Sequence, residues 1–161
     1  MTLEAIKKVG VIGCGTMGAG IAVCCLRAGY RVTALEINEE LLQTKLTGTT
    51  DYADLADCDV VIEVAPEKLE LKRNIMRQVE AVVRRDTLVC TNTSSLPIID
   101  IAGALTYPDR LVGLHFCYPA QTMMLVELIT SIRTSDDAAE LAYAFGSSLG
   151  KTLIRAKDYP G

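Results

Sequence analysis

The chain has no tryptophan, two phenylalanines, six tyrosines and a single histidine among its 161 residues. So few aromatics leave little to stack on bases, and sixteen basic residues are outnumbered by twenty acidic ones without any basic cluster. Nucleic acid is thereby excluded as a partner in favour of a small ligand. Long hydrophobic runs are also missing. The longest, GIAVCCL, stops at Arg27, far short of a membrane span, and MTLEAIKK at the amino terminus lacks the apolar segment of a secretion signal. The expectation is a soluble, cytosolic protein. No CxxC pair occurs and no metal site is expected. The cysteines at 14, 24, 25, 58, 90 and 117 lie mostly in apolar stretches, where a thiol acts as a small hydrophobe, and are read as reduced structural thiols.

What is present is hydrophobic patterning. Half of the residues are apolar, enough for one domain that buries roughly 70% of its unfolded surface without a staple. Strand-length apolar runs recur at 9–12, 32–35, 60–64, 88–91, 111–114, 125–129 and 152–155. The first four are continuous rather than alternating, as expected of parallel strands covered on both faces. Helical periodicity fills the intervals at 16–28, 39–45 and 69–83, the last with Leu71, Ile75, Met76, Val79 and Val82 on one stripe. A later helix, 136–149, opens on Ser135 and Asp136 as caps and ends at Gly150. Strands alternating with helices predict one α/β domain: a doubly wound, mostly parallel sheet of Rossmann type.

The stretch VGVIGCGTMGAGIA carries glycines at 13, 15 and 18 where an apolar strand gives way to a helix. Gly13 suits the tight turn, Gly15 the approach of a pyrophosphate, and Gly18 close packing of helix on strand, with Thr16 and Met17 opening the helix between them. Unpaired amides and the helix dipole favour an anion there. Glu36 stands eighteen residues beyond Gly18, at the end of the second strand, where an acidic group meets the adenosine ribose. A simple turn beside a surface glutamate is the competing reading. The coincidence of strand, glycines, helix and carboxylate favours a dinucleotide, and the carboxylate favours NAD over NADP.

The only histidine, His115, closes an apolar run, and Glu127 sits twelve residues on inside another, where an unpaired charge is costly. A lone histidine is more often structural than catalytic. Paired with a carboxylate, it becomes a general base.

Taken in order, KKVGVIGCGTMGAGIA, VVIEVAPEKLELKRNI, TNTSSLPI, RLVGLHFCYPA and LVELI resemble the NAD-binding domain of the L-3-hydroxyacyl-CoA dehydrogenase family across nearly the whole chain. The resemblance implies His115 as the catalytic base, Glu127 as its partner and Ser94 as the contact to the substrate hydroxyl. It places Glu67 and Lys72 near the nicotinamide ribose and Asn92 in the same cleft; on composition alone Lys72 reads as a solvated lysine. It further implies NAD as cofactor, an acyl thioester of CoA or of acyl carrier protein as substrate, and a homodimer, formed in the family by a helical second domain.

Three departures accompany it. Tyr118 stands where the family usually has an asparagine that supports the substrate carbonyl; the phenol either replaces that donor, reshapes the pocket, or packs beside Pro119 with its hydroxyl in solvent. The family's helical hairpin after the second strand is replaced by a short passage into TGTTDYADLADCDVV, and the sequence stops at KDYPG, where the family continues into the second domain. Residues 1–161 are accordingly read as a single NAD-binding domain lacking both. Two functions stay open: oxidation of 3-hydroxyacyl thioesters or related hydroxy acids, and a cofactor-binding module with little turnover.

Overall fold

Val60, Val61 and Ile62 are consecutive and wholly buried, yet they serve two different cores. Successive residues of a strand face opposite sides of the sheet, so a run buried throughout requires helices on both faces. The structure, a computed structural model, describes residues 1–36 and 47–159; the helix expected at 39–45 falls outside them.

The elements are β1 (Lys8–Ile12), α1 (Thr16–Arg27), β2 (Arg31–Leu35), β3 (Thr47–Thr49), β4 (Val60–Glu63), α2 (Leu69–Val82), β5 (Leu88–Thr91), α3 (Ile98–Ala102), β6 (Leu111–Phe116), β7 (Leu125–Thr130), α4 (Asp136–Ser148) and β8 (Thr152–Lys157). Among the described residues they form one eight-stranded sheet in the order β3-β2-β1-β4-β5-β6-β7-β8. Every neighbouring pair is parallel except β6 and β7. This is the Rossmann-type doubly wound fold. Val9, Val11, Val60, Ile62, Leu114 and Phe116 share one core with Ile21 and Cys25 of α1 and Phe145 of α4. Ile12, Val61 and Val89 share the other with Ile75, Met76 and Val79 of α2 and Ile98 and Ile101 of α3.

Local signals act as expected at α4, where the Ser135 hydroxyl accepts from the Ala138 amide and Gly150 takes φ +75° just past the end. The thiols of Cys14, Cys24, Cys25, Cys58 and Cys90 are buried and unbridged, and Cys117 is half-buried. Two elements carry too little pattern to be read from sequence. The edge strand β3 is only TGT. Helix α3 is five residues long, and its first two amides, Ile98 and Ile99, donate to the Asp158 carboxylate at 2.7 and 2.8 Å from sixty residues away. The α2 stripe also differs at Leu71, which turns from the core toward a cleft described next.

Candidate active site and cofactor cleft

The turn between β1 and α1 demands its glycines for three separate reasons. Gly13 adopts φ +90°, a left-handed conformation that side chains rarely take. A Cβ on Gly18 would stand 1.8 Å from the Gly13 carbonyl oxygen, so helix and strand meet there with no room for a methyl. A Cβ on Gly15 would meet nothing within 4 Å among the described residues. Packing therefore does not explain Gly15; open space in front of the helix does. Gly15, at the N-cap of α1, has no side chain to offer its first amides, which point toward that space. Glu36, buried at the end of β2, accepts from the Cys14 amide at 2.7 Å and ties the loop to the second strand. Burial, and after it the Glu36 charge, push the Cys14 thiol up to about 11, so it stays protonated beside the loop.

Before this loop lies a cleft of about 680 Å³. Gly13, Gly15, Thr16, Met17, Gly18 and Glu36 form one wall. The 64–66 turn after β4, Tyr52 and the outer face of α2, including Leu71 and Asn74, form the other. The volume and mostly apolar lining suit a ligand the size of a nucleotide cofactor. An acidic side chain deep in the cleft, beside donors at a helix N-terminus, fits the sugar and phosphate of an adenine dinucleotide.

The floor beside the cleft holds a buried ion pair. Lys72 donates to Glu63 Oε1 and Oε2 at 2.8 and 3.1 Å and to the Ala65 carbonyl at 2.8 Å. Glu63 also accepts from the Ala65 amide at 2.6 Å and the Thr91 hydroxyl at 2.6 Å. Both residues are fully buried. Composition suggested a solvated lysine, and the structure corrects that: with its hydrogen bonds taken up, an ammonium can be buried. Glu67 lies 3.5 Å from Lys72 and accepts from the Thr93 hydroxyl at 2.5 Å. Asn92 is likewise buried, and its side-chain oxygen accepts from the Phe116 amide at 2.8 Å, joining the end of β5 to β6.

The catalytic candidates do converge. His115 and Glu127 are directly opposed residues of the antiparallel β6–β7 pair, hence on one face. His115 Nδ1 and Glu127 Oε2 lie 2.7 Å apart. A carboxylate only accepts, so Nδ1 carries a proton, and in the neutral ring Nε2 is the nitrogen that presents its lone pair. Nε2 lies 3.1 Å from the hydroxyl of Ser94, on the loop after β5. An exposed hydroxyl, an imidazole and a half-buried carboxylate thus form a chain that can move a proton at the sheet surface. Tyr118, two residues past β6, is 67% exposed. Sequence reasoning missed Glu63 and Thr93. Glu63 carried the signal that disclosed Glu127, a lone charge in an apolar strand; Thr93 carried none.

Comparison with known proteins gives a consistent result. The family profile of 3-hydroxyacyl-CoA dehydrogenase, NAD binding domain, matches residues 8–46 and 42–159. The 3-hydroxybutyryl-CoA dehydrogenase of Bradyrhizobium diazoefficiens is 36% identical over 183 residues, covering 96% of this chain and 62% of that protein. The crystal structure of M. tuberculosis FadB2 is 36% identical with a TM-score of 0.93, covering 98% of this chain and 66% of that one. That of (S)-3-hydroxybutyryl-CoA dehydrogenase PaaH1 from Ralstonia eutropha is 34% identical with a TM-score of 0.93, covering 98% and 65%. The chain therefore spans about two thirds of the length of these relatives. It belongs to the 3-hydroxyacyl-CoA dehydrogenase family and corresponds to that family's NAD-binding domain.

Proposed function

We propose that this domain binds NAD in the glycine-walled cleft and interconverts the 3-hydroxyl and 3-keto forms of an acyl thioester, carried on CoA or on acyl carrier protein. The observation that carries the reading is the Ser94–His115–Glu127 chain, held on the same sheet as the cleft. Gly13, Gly15, Gly18 and the first turn of α1 would hold the pyrophosphate, and Glu36 the adenosine ribose, whose 2′-phosphorylated form its charge would repel. Bound NAD supplies the hydride acceptor at carbon 3 of the substrate.

The protein manages the proton. As the carbon–hydrogen bond is lost, His115 Nε2 takes the hydroxyl proton and the carbon–oxygen double bond forms. Glu127 keeps the ring in the tautomer that can accept it and stabilises the imidazolium that results. Ser94 holds the oxygen within reach. In the reverse direction the imidazolium returns the proton.

A second reading, a binding module with weak turnover, draws on the exposure of Ser94, Tyr118, Met123 and Met124 around the reacting end. The family profile matches in two pieces that overlap at 42–46, which supports a shortened connection where the family's hairpin would stand. Positioning contributes roughly 7–11 kcal/mol to a barrier, so a substrate left exposed at its reacting end forfeits part of that. NADH fluorescence titration and acetoacetyl-CoA reduction, followed by loss of NADH absorbance, distinguish the two. Binding with turnover abolished by His115→Ala supports the enzyme; binding with none supports the module. No NADH binding refutes both.

A further inference from the structure

The Thr93 hydroxyl makes two hydrogen bonds that belong to different parts of the molecule. It donates to Glu67 at 2.5 Å, on the turn after β4, and accepts from the Leu96 amide at 3.1 Å, within its own loop. The second bond closes the turn that carries Ser94. The first anchors that turn to a segment whose other residues, Val64, Ala65 and Pro66, are a wall of the cleft. Glu67 is in turn braced by Lys72 at 3.5 Å, and the wall by Glu63 through the Ala65 amide. Thr93 is 3% exposed, whereas neighbouring Ser94 is exposed and reaches His115. A buried residue thus fixes an exposed one.

We infer that Thr93 is a positioning residue that sets where the Ser94 hydroxyl meets the imidazole, with Glu67 as its anchor on the cleft wall. The inference rests on the proposed reading for its meaning in catalysis, though not for its test. Among the described residues the Ser94 side chain is held by His115 alone, so its placement depends on the turn beneath it. Without the Thr93 hydroxyl, the Leu96 amide and the Glu67 carboxylate each lose a hydrogen bond, Glu67 keeping only Lys72, and the turn is released from the wall. A ligand that displaces residues 64–67 would then act on Ser94 through the same bond. Cofactor cleft and proton chain are coupled at one hydroxyl.

The single histidine makes this measurable without turnover, because nitrogen-labelled protein gives one set of imidazole signals. Ser94→Ala defines the spectrum of a ring without its Nε2 partner. At fixed pH, Thr93→Val should move the ring signals most of the way to that position, and Thr93→Ser should restore them. Glu67→Ala, a change at a side chain 41% exposed and therefore compatible with folding, should move them in the same direction. The double variant should go no further than the larger single change, since the two residues make one bond. In the active protein the expected loss in kcat for Thr93→Val is up to about 10²-fold, the cost of a misplaced group. Ring signals that stay with wild type while the melting temperature falls would overturn the inference, as would independent, additive displacements. Failure of the functional reading looks different: NADH neither binds nor is consumed, while the ring signals still report Thr93.

Discussion

Gly15 and Gly18 are three residues apart in one motif, yet alanine should affect them in opposite ways. At Gly18 the new methyl would lie 1.8 Å from the Gly13 carbonyl oxygen, with the Gly13 carbonyl carbon at 2.9 Å. Both are backbone atoms, so the helix must move away from the strand. Overpacking of a rigid site costs about 1–3 kcal/mol, and a contact this short belongs at the upper end. For a chain of this length about 3 kcal/mol lowers the melting temperature by roughly 6–12 °C.

At Gly15 the backbone already has φ −60° and ψ −173°, open to any residue, and the methyl meets nothing within 4 Å. Alanine is a poorer N-cap than glycine by about 0.5–1 kcal/mol, and a similar gain comes from restricting the unfolded chain. Stability should change by less than about 0.5 kcal/mol, the balance of those two effects. The methyl would instead intrude on the proposed pyrophosphate position, at a cost of about 1–3 kcal/mol, or roughly 5–150-fold in NADH affinity. Thermal melts with and without cofactor separate the two. Wild type at a hundredfold excess over its dissociation constant should gain about 2.7 kcal/mol, Gly15→Ala little of it, and Gly18→Ala should melt early regardless. A Gly15→Ala protein that binds NADH like wild type would refute the reasoning.

Three further outcomes are expected. Glu36→Ala should weaken NADH binding by about 10–100-fold, the worth of hydrogen bonds to a charged group, and narrow the preference over NADPH; parallel calorimetric titrations check both. His115→Ala and Glu127→Gln should each lower acetoacetyl-CoA reduction, with the double variant little worse than His115→Ala alone because the pair acts as one unit; steady-state rates of the three decide. Burial pushes the Asp59 carboxyl up, but the Lys7 and Lys8 amides and the Arg84 guanidinium outweigh it and hold it below the usual range. Its stabilisation is therefore complete above the unfolded value of about 3.9 and is lost as pH falls through the lower folded one. Asp59→Asn should cost about 1.5–3 kcal/mol in urea melts at neutral pH, and the gap to wild type should close in acid.

Residues whose chemistry is constrained locally were legible in the sequence. Gly13 and Gly18 are dictated by a turn angle and a close approach within the same few residues, and Glu127 by the cost of a lone charge in an apolar strand. Pairings set by distant parts of the chain were not. Asp158 caps α3 from beyond β8, and Glu63 takes Lys72 from another element altogether. Leu71 fits the core stripe of α2 by period, but in the first turn of that helix it faces the cleft. The reversal of β7 was equally hidden, because LVELI reads the same in either direction relative to its neighbour.

That reversal governs which changes in chain length the domain can tolerate. His115 and Glu127 are rungs of one ladder, so their separation is set by backbone bonding between the strands and not by residues 117–124 that join them. The connection can lengthen or shorten without parting the two side chains. A single residue inserted between Gly113 and His115 would turn the imidazole to the opposite face of the sheet and strand the carboxylate. Insertions and deletions among descendants of this domain should therefore gather in the connection and spare the rungs, a pattern that requires no contact with substrate to enforce it.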